Sequence, residues 1–138
     1  MTKDLRVVLH TNLFVSILIT KNGMAERALE RAYMRYTFLY SDASMNELRD
    51  VLRRPKFERY ATLAARERLI RLSFVGAKRI EIRDRVTDCV DAKDNKFLEL
   101  ALSGRADLIL TGDDHLLRLG PWRGVAILTP RAFLELAG

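Results

Sequence analysis

Apolar and polar residues fall in short blocks along the chain, and the blocks set the elements. Leu5-Arg6-Val7-Val8-Leu9 is a nearly continuous apolar run closed at once by polar His10-Thr11-Asn12, the pattern of a buried first strand. Leu13 to Ile19 then reads as a short helix. Ala25 to Tyr36 reads as a longer one, with Ala28, Leu29 and Ala32 on one face. Phe38-Leu39-Tyr40-Ser41 predicts a second strand. The next helix is predicted to begin at Ser44-Met45-Asn46-Glu47, with Leu48, Val51 and Leu52 at helical spacing and Pro55 just past its end.

A further helix is predicted around Thr62 to Phe74, followed by alternating Arg79-Ile80-Glu81-Ile82 as a short strand and a polar stretch from Asp84 to Lys93. Asp94 to Ser103 puts Phe97, Leu98, Ala101 and Leu102 on one helical face. Leu108-Ile109-Leu110 and Val125-Ala126-Ile127-Leu128 read as buried strands, and Pro130 suits the first turn of a last helix. Strands of this kind alternating with helices predict an α/β sandwich with a mainly parallel sheet covered on both faces. In such sheets functional groups gather beyond the carboxyl ends of the strands, where strand order reverses.

The polar residues at those places are His10 and Asn12 after the first strand, Glu47 after the second, Asp91 and Asp94 at a helix start, and Asp113, Asp114 and His115 after Leu110. Carboxylates brought together raise one another's pKa unless a cation joins them, and a hard divalent ion with oxygen ligands meets that need. Such an ion suits phosphodiester hydrolysis and requires no organic cofactor. Each residue also has a plainer reading. Ser44-x-x-Glu47 has the form of a capping box, Asp94 and Asp113 stand where helix N-caps stand, Asp91 reads as a loop acid, and Asn12 reads as a cap or turn residue.

Composition narrows the picture. A chain of 138 residues, 49% hydrophobic, suffices for one sizeable core and is short for two, so one domain over residues 1–138 is expected. No apolar run reaches the roughly 18 residues of a membrane span, nor does the start resemble a secretory leader, so a cytoplasmic protein is expected. The lone Cys89 fits a reducing compartment and a structural role. Trp122 reads as core or as a subunit interface.

The net charge of +6 is regional: residues 49 to 85 hold twelve Lys or Arg, among them Arg49, Arg53, Arg54, Lys56, Arg66, Arg71 and Arg79, against five acids. This is the footprint of a polyanion partner, or else a solvated helix face. Neither Gly-x-Gly-x-x-Gly nor a Gly-Lys-Ser/Thr phosphate cradle occurs, which speaks against a nucleotide-binding domain, and there is no nucleophile elbow Gly-x-Ser-x-Gly.

Taken in order, the motifs resemble the PIN domain family, in particular its toxin–antitoxin (VapC-like) group. They are Arg6-Val7-Val8-Leu9-His10-Thr11-Asn12; Ser44-Met45-Asn46-Glu47-Leu48 with Val51-Leu52 and Arg54-Pro55-Lys56-Phe57; Asp91-Ala92-Lys93-Asp94-Asn95-Lys96-Phe97-Leu98-Glu99-Leu100-Ala101; Ala106-Asp107-Leu108-Ile109-Leu110-Thr111-Gly112-Asp113; and Ile127-Leu128-Thr129-Pro130. Each is moderately specific, and their order and spacing carry the resemblance over nearly the whole chain. It implies a three-layer α/β/α fold of the PIN-like, Rossmann-like kind with four or five strands, magnesium or manganese at a carboxylate cluster, and cleavage of RNA. A cognate antitoxin protein and a homodimer are also implied.

Carried over position by position, Glu47, Asp94 and Asp113 match the family's catalytic, metal-holding acids. Thr11 or Asn12 supports the first-strand position, with Arg53, Arg54 and Lys56 expected against substrate. The departures are His10 and His115, the chain's two histidines, where the family places Asp. Three accounts follow: the histidines are ligands in a site favouring manganese or another transition ion; they supply positive charge among the carboxylates; or the site has lost its chemistry and the domain binds RNA or a partner without cutting.

Overall fold

In the computed structural model, which describes residues 3–20 and 22–137, five parallel strands form one sheet in the order β3-β2-β1-β4-β5. The strands are β1 (Arg6–Leu9), β2 (Thr37–Tyr40), β3 (Lys78–Arg79), β4 (Leu108–Leu110) and β5 (Ala126–Leu128). The helices are α1 (Thr11–Ile19), α2 (Met24–Arg35), α3 (Asp42–Leu52), α4 (Leu63–Ser73), α5 (Asn95–Gly104), the single turn α6 (Asp114–Leu117) and α7 (Pro130–Ala137). This is the expected α/β sandwich, with all five strands parallel.

The pleat divides the core. Val7, Leu9, Phe38, Leu108 and Leu110 join α1, α2, α3 and α7 on one face, while Val8, Leu39, Ile109 and Ile127 join α5, α6 and Trp122 on the other. Trp122 is buried, and its indole N–H donates to Asp88 Oδ2 at 2.8 Å, so its role is core. Cys89 is buried and unpaired, and burial pushes its thiol pKa up, as an inert structural cysteine requires. None of the described helices is long and apolar enough to cross a membrane.

Two expectations need correcting. The third strand is Lys78–Arg79 rather than Arg79–Ile82. Beyond Ile80, whose amide still reaches Tyr40 O, the chain leaves the sheet because side chains of α5 take its amides. Ser103 Oγ accepts from Arg83 and Asp84, Glu99 Oε2 from Val86, and Asn95 Oδ1 from Cys89. The second correction concerns α3, which starts at Asp42 with Ser41 as its cap. The capping box is the reciprocal Ser41–Ser44 pair, not Ser44–Glu47. Glu47 is therefore free of the helix end.

Candidate active site

Strand order reverses between β1 and β4: from β1 the chain moves outward through β2 and β3, then returns to add β4 and β5 on the other side. The crevice beyond the carboxyl ends of β1 and β4 is the place such sheets reserve for function. His10 opens it, its amide held by Leu110 O at 3.0 Å and its ring buried edge-on against Phe97.

Both ring nitrogens of His10 are engaged. Nε2 lies 3.0 Å from Asp94 Oδ1, and Nδ1 lies 2.9 Å from Thr111 Oγ1. A carboxylate only accepts, so Nε2–H donates to Asp94; the Thr111 hydroxyl then donates to Nδ1 while accepting from the Asp113 amide at 3.0 Å. The alternative, Nδ1–H donating to Thr111, turns that hydroxyl towards Asn12 Oδ1 at 3.5 Å, a long contact. In the first arrangement no imidazole lone pair is left over, and His10 is a strut that orients Asp94.

Asp94 ends a 3-10 turn (Ala92–Asp94) whose cap is Asp91, which accepts from the Lys93 amide at 3.3 Å. The chain thus enters α5 from a turn, and the buried Asp94 carboxylate makes no cap bond of its own. Burial alone would raise its pKa. The hydrogen bond from His10 outweighs that, and the carboxyl is held below the usual carboxylate range, charged throughout neutral pH.

Glu47 reaches the crevice from α3, which Met45, Leu48 and Leu52 pin to the core. One carboxylate oxygen accepts from the Thr11 hydroxyl, and the other meets Lys96 Nζ at 2.7 Å. Lys96 also donates to Lys93 O at 2.7 Å. Both partners of this ion pair are three-quarters or more buried. Lys96 was not among the expected site residues. The one signal for it was weak: a lysine in the first turn of a helix opposes the helix dipole, which favours a carboxylate partner by a few tenths of a kcal/mol to about 1 kcal/mol.

Asp113 does what an N-cap does, accepting from the Leu116 amide at 3.1 Å. Asn12 closes the loop after β4, its Oδ1 accepting from the Gly112 amide at 3.3 Å. His115 stands half-buried on α6, and no hydrogen bond or ion pair of its side chain occurs among the described residues. Arg54 and Lys56 are exposed in the connection between α3 and α4, as is Arg53 at the end of α3, in an ion pair of 3.6 Å with Glu67. Arg66 is different: its side chain is only 1% exposed and its guanidinium is spent on backbone carbonyls, so it is no phosphate ligand.

Among the described residues no three His, Cys, Asp or Glu side chains form a ready metal cluster. The reason is visible in their partners: Lys96 and Thr11 draw on Glu47, His10 on Asp94, and the helix end on Asp113. The donor chemistry nevertheless fits one hard divalent ion, and the Lys96 ammonium marks a place where this cluster already holds positive charge. Withdrawal of that flexible side chain frees Glu47 Oε1.

Comparison with known proteins bears on the family and the fold. The chain is 29% identical over 119 residues to an uncharacterized protein of Methanocaldococcus jannaschii, MJ1680, covering 83% of this chain and 75% of that one. Its fold is similar to that of VapBC2 from Rickettsia felis, solved bound to a DNA fragment from the promoter (TM-score 0.62, 12% identity, 91% and 98% of the two chains). PAE2754 from Pyrobaculum aerophilum is similar as well (TM-score 0.64, 14% identity, 98% of each chain). The sequence signature of the PIN domain matches residues 6–115, most of the chain and a span that holds His10, Glu47, Asp94 and Asp113, and the protein belongs to the PIN domain family.

Proposed function

We propose that the chain is a divalent-metal-dependent endoribonuclease, the toxin of a toxin–antitoxin pair, working with an altered metal site. The observation that carries this reading is that Asp94, bonded to His10, and Glu47, bonded to the adjacent Thr11 and to Lys96 two residues past Asp94, are both fixed at the β1/β4 switch point. Membership of the PIN domain family and the fold shared with a VapBC complex support it. The antitoxin and a second copy of the chain enter as partners on the same grounds.

In this reading Glu47, Asp94 and Asp113 hold the ion, magnesium or manganese. When bound, it supplies the positive charge that activates water and stabilises the oxygens of a phosphodiester displacement. The chain's own part is orientation. His10 keeps Asp94 charged and aimed, Thr11 fixes one oxygen of Glu47, and Thr111 ties His10 to the Asp113 backbone. The exposed Arg53, Arg54 and Lys56 attract the phosphate chain from outside. Incubating the purified protein, free of antitoxin, with single-stranded RNA in magnesium, manganese or chelator tests the whole reading. Cleavage that requires either ion and stops in chelator supports it; cleavage indifferent to chelator sinks it.

Lys96 gives a sharper test. An ion and an ammonium compete for Glu47, so Lys96→Met should tighten manganese binding about tenfold in isothermal titration, the equivalent of roughly 1.4 kcal/mol of relieved competition. Unchanged affinity would mean that Glu47 takes no part in holding the ion.

A second reading has its own observation: every site acid already has a partner within the chain, as in a module that binds RNA or protein without cutting. Restoring acids through His10→Asp with His115→Asp separates the two. Activity gained only by the restored variant would identify the natural domain as a binder, whereas activity already present in the natural chain assigns it as a nuclease.

A further inference from the structure

A second concavity lies on the same edge of the sheet, outside the acid crevice. It is a groove of about 760 Å³ between α3 and α4, a size within the range of roughly 300–1,000 Å³ that small-ligand sites occupy. Its floor is apolar and aromatic, from Met45, Ile70, Phe74 and Tyr40. Its rim is cationic: Arg49 and Arg53 rise from α3, Arg71 from α4 and Arg79 from β3. Arg79 is paired with Asp42 at 2.7 Å and Arg53 with Glu67 at 3.6 Å. For the exposed Arg49 and Arg71 no ion pair occurs among the described residues, so positive charge is left over at the rim.

The position matters as much as the charge. Tyr40 ends β2, the strand beside β1, so the groove begins about 5 Å along the sheet from the strand that carries His10. Helix α3 serves both places. Asn46 lines the groove and the next residue, Glu47, turned about 100° around the helix, enters the acid crevice. A polymer lying along the carboxyl edge of the sheet would meet the acids and the groove in succession.

We infer that this groove is a nucleotide subsite for single-stranded RNA: an unpaired base enters against Phe74 and Tyr40, and Arg49 and Arg71 hold the phosphates beside it. The class of polymer rests on the nuclease reading, but the groove itself does not. Unstacked bases are bound on aromatic side chains and guanidinium planes, whereas a duplex keeps its bases stacked inside and presents only its backbone. An apolar floor under a cationic rim therefore selects the single strand over the duplex.

The test is binding in chelator, where no cleavage occurs, read by fluorescence anisotropy of a labelled single-stranded oligoribonucleotide across a salt series. Arg49→Ala with Arg71→Ala replaces two exposed side chains and leaves the core untouched. Its affinity for the single strand is expected to fall at least tenfold. The slope of log Kd against log salt should drop by about 1.4, at roughly 0.7 for each phosphate contact on a single strand. The matching RNA duplex should bind more weakly and lose less in the double variant. Wild-type affinity and slope in the double variant would overturn the subsite, as would equal binding of the duplex. Competition by polyglutamate as effective as by unlabelled RNA would overturn it in favour of an acidic protein partner. Binding of this form by a protein that cuts nothing would keep the groove and discard the nuclease reading; cutting by a protein whose double variant binds normally would do the reverse.

Discussion

Asp94→Asn should lower metal-dependent RNA cleavage by about 100-fold or more, the scale of removing one preorganised electrostatic group from a transition state. The expectation follows from where the charge is kept. Asp94 is buried at 4% exposure, yet its carboxyl is held below the ordinary range by His10, so the chain maintains an anion at a place where an anion is costly. Asparagine retains the shape, and its amide oxygen still accepts from His10 Nε2–H, so the fold and the His10–Thr111 chain should survive. Melting curves and far-UV circular dichroism should match those of the natural protein while product formation on gels disappears. Persistent cleavage by the folded variant would remove Asp94 from the chemistry.

The largest stability effect is expected at Arg66. Its Nη1 donates to Leu52 O at 2.6 Å and Arg54 O at 3.2 Å, its Nε to Ala61 O at 3.1 Å, and its Nη2 to Glu58 Oε1 at 3.1 Å. The carbonyls of Leu52 and Arg54 belong to the end of α3 and the turn after it, where the helix itself offers no donor. One guanidinium thus closes α3, shapes the Pro55–Phe57 turn and anchors the first turn of α4. Arg66→Ala leaves a cavity and takes the side-chain donor from the carbonyls of Leu52 and Ala61, while Arg54 O keeps the Phe57 amide, a loss of about 3 kcal/mol, hence about 10 °C in melting temperature for a chain of this size. Arg66→Lys should recover little, because a single ammonium cannot span donors set by a planar fork. A lysine variant as stable as the natural protein would show that the charge alone suffices. Glu58 is 65% exposed, so its ion pair adds little.

Arg66 also shows where the sequence misleads. In the primary structure it is one more cation in a basic run, and nothing in its neighbours distinguishes a side chain that turns inward from those that face solvent. The strands were legible because each is a short apolar run closed by polar residues, and the acids were legible because they follow those runs. The register of the capping box was not: Ser41 and Ser44 both precede the apolar spacing of α3, and only the direction of β2 decides that Ser41 closes the helix. The third strand was overestimated for a related reason. Alternation in Arg79-Ile80-Glu81-Ile82 describes an extended chain, but extension does not say which partner takes the amides. The site is legible in its acids and opaque in what holds each of them. His10 and Lys96 come from different segments, and their pairing with Asp94 and Glu47 depends on how α5 leaves its 3-10 turn.

The extended segment before that turn is measured out by a helix. Asn95, Glu99 and Ser103 recur every fourth residue along one side of α5, and each accepts from an amide of the antiparallel stretch 83–89 that runs past them. The three acceptors act as a ruler whose graduations are single residues. Side chains of the stretch are held as well, Asp84 by Ser103 and Asp88 by Trp122, with Val86 and Cys89 buried, and its length is fixed with them: one residue inserted between Val86 and Cys89 would put the Cys89 amide out of step with Asn95 and shift Asp91 and Asp94 relative to the crevice. The segment that looks least regular in this chain is thus the one with the least freedom to change length.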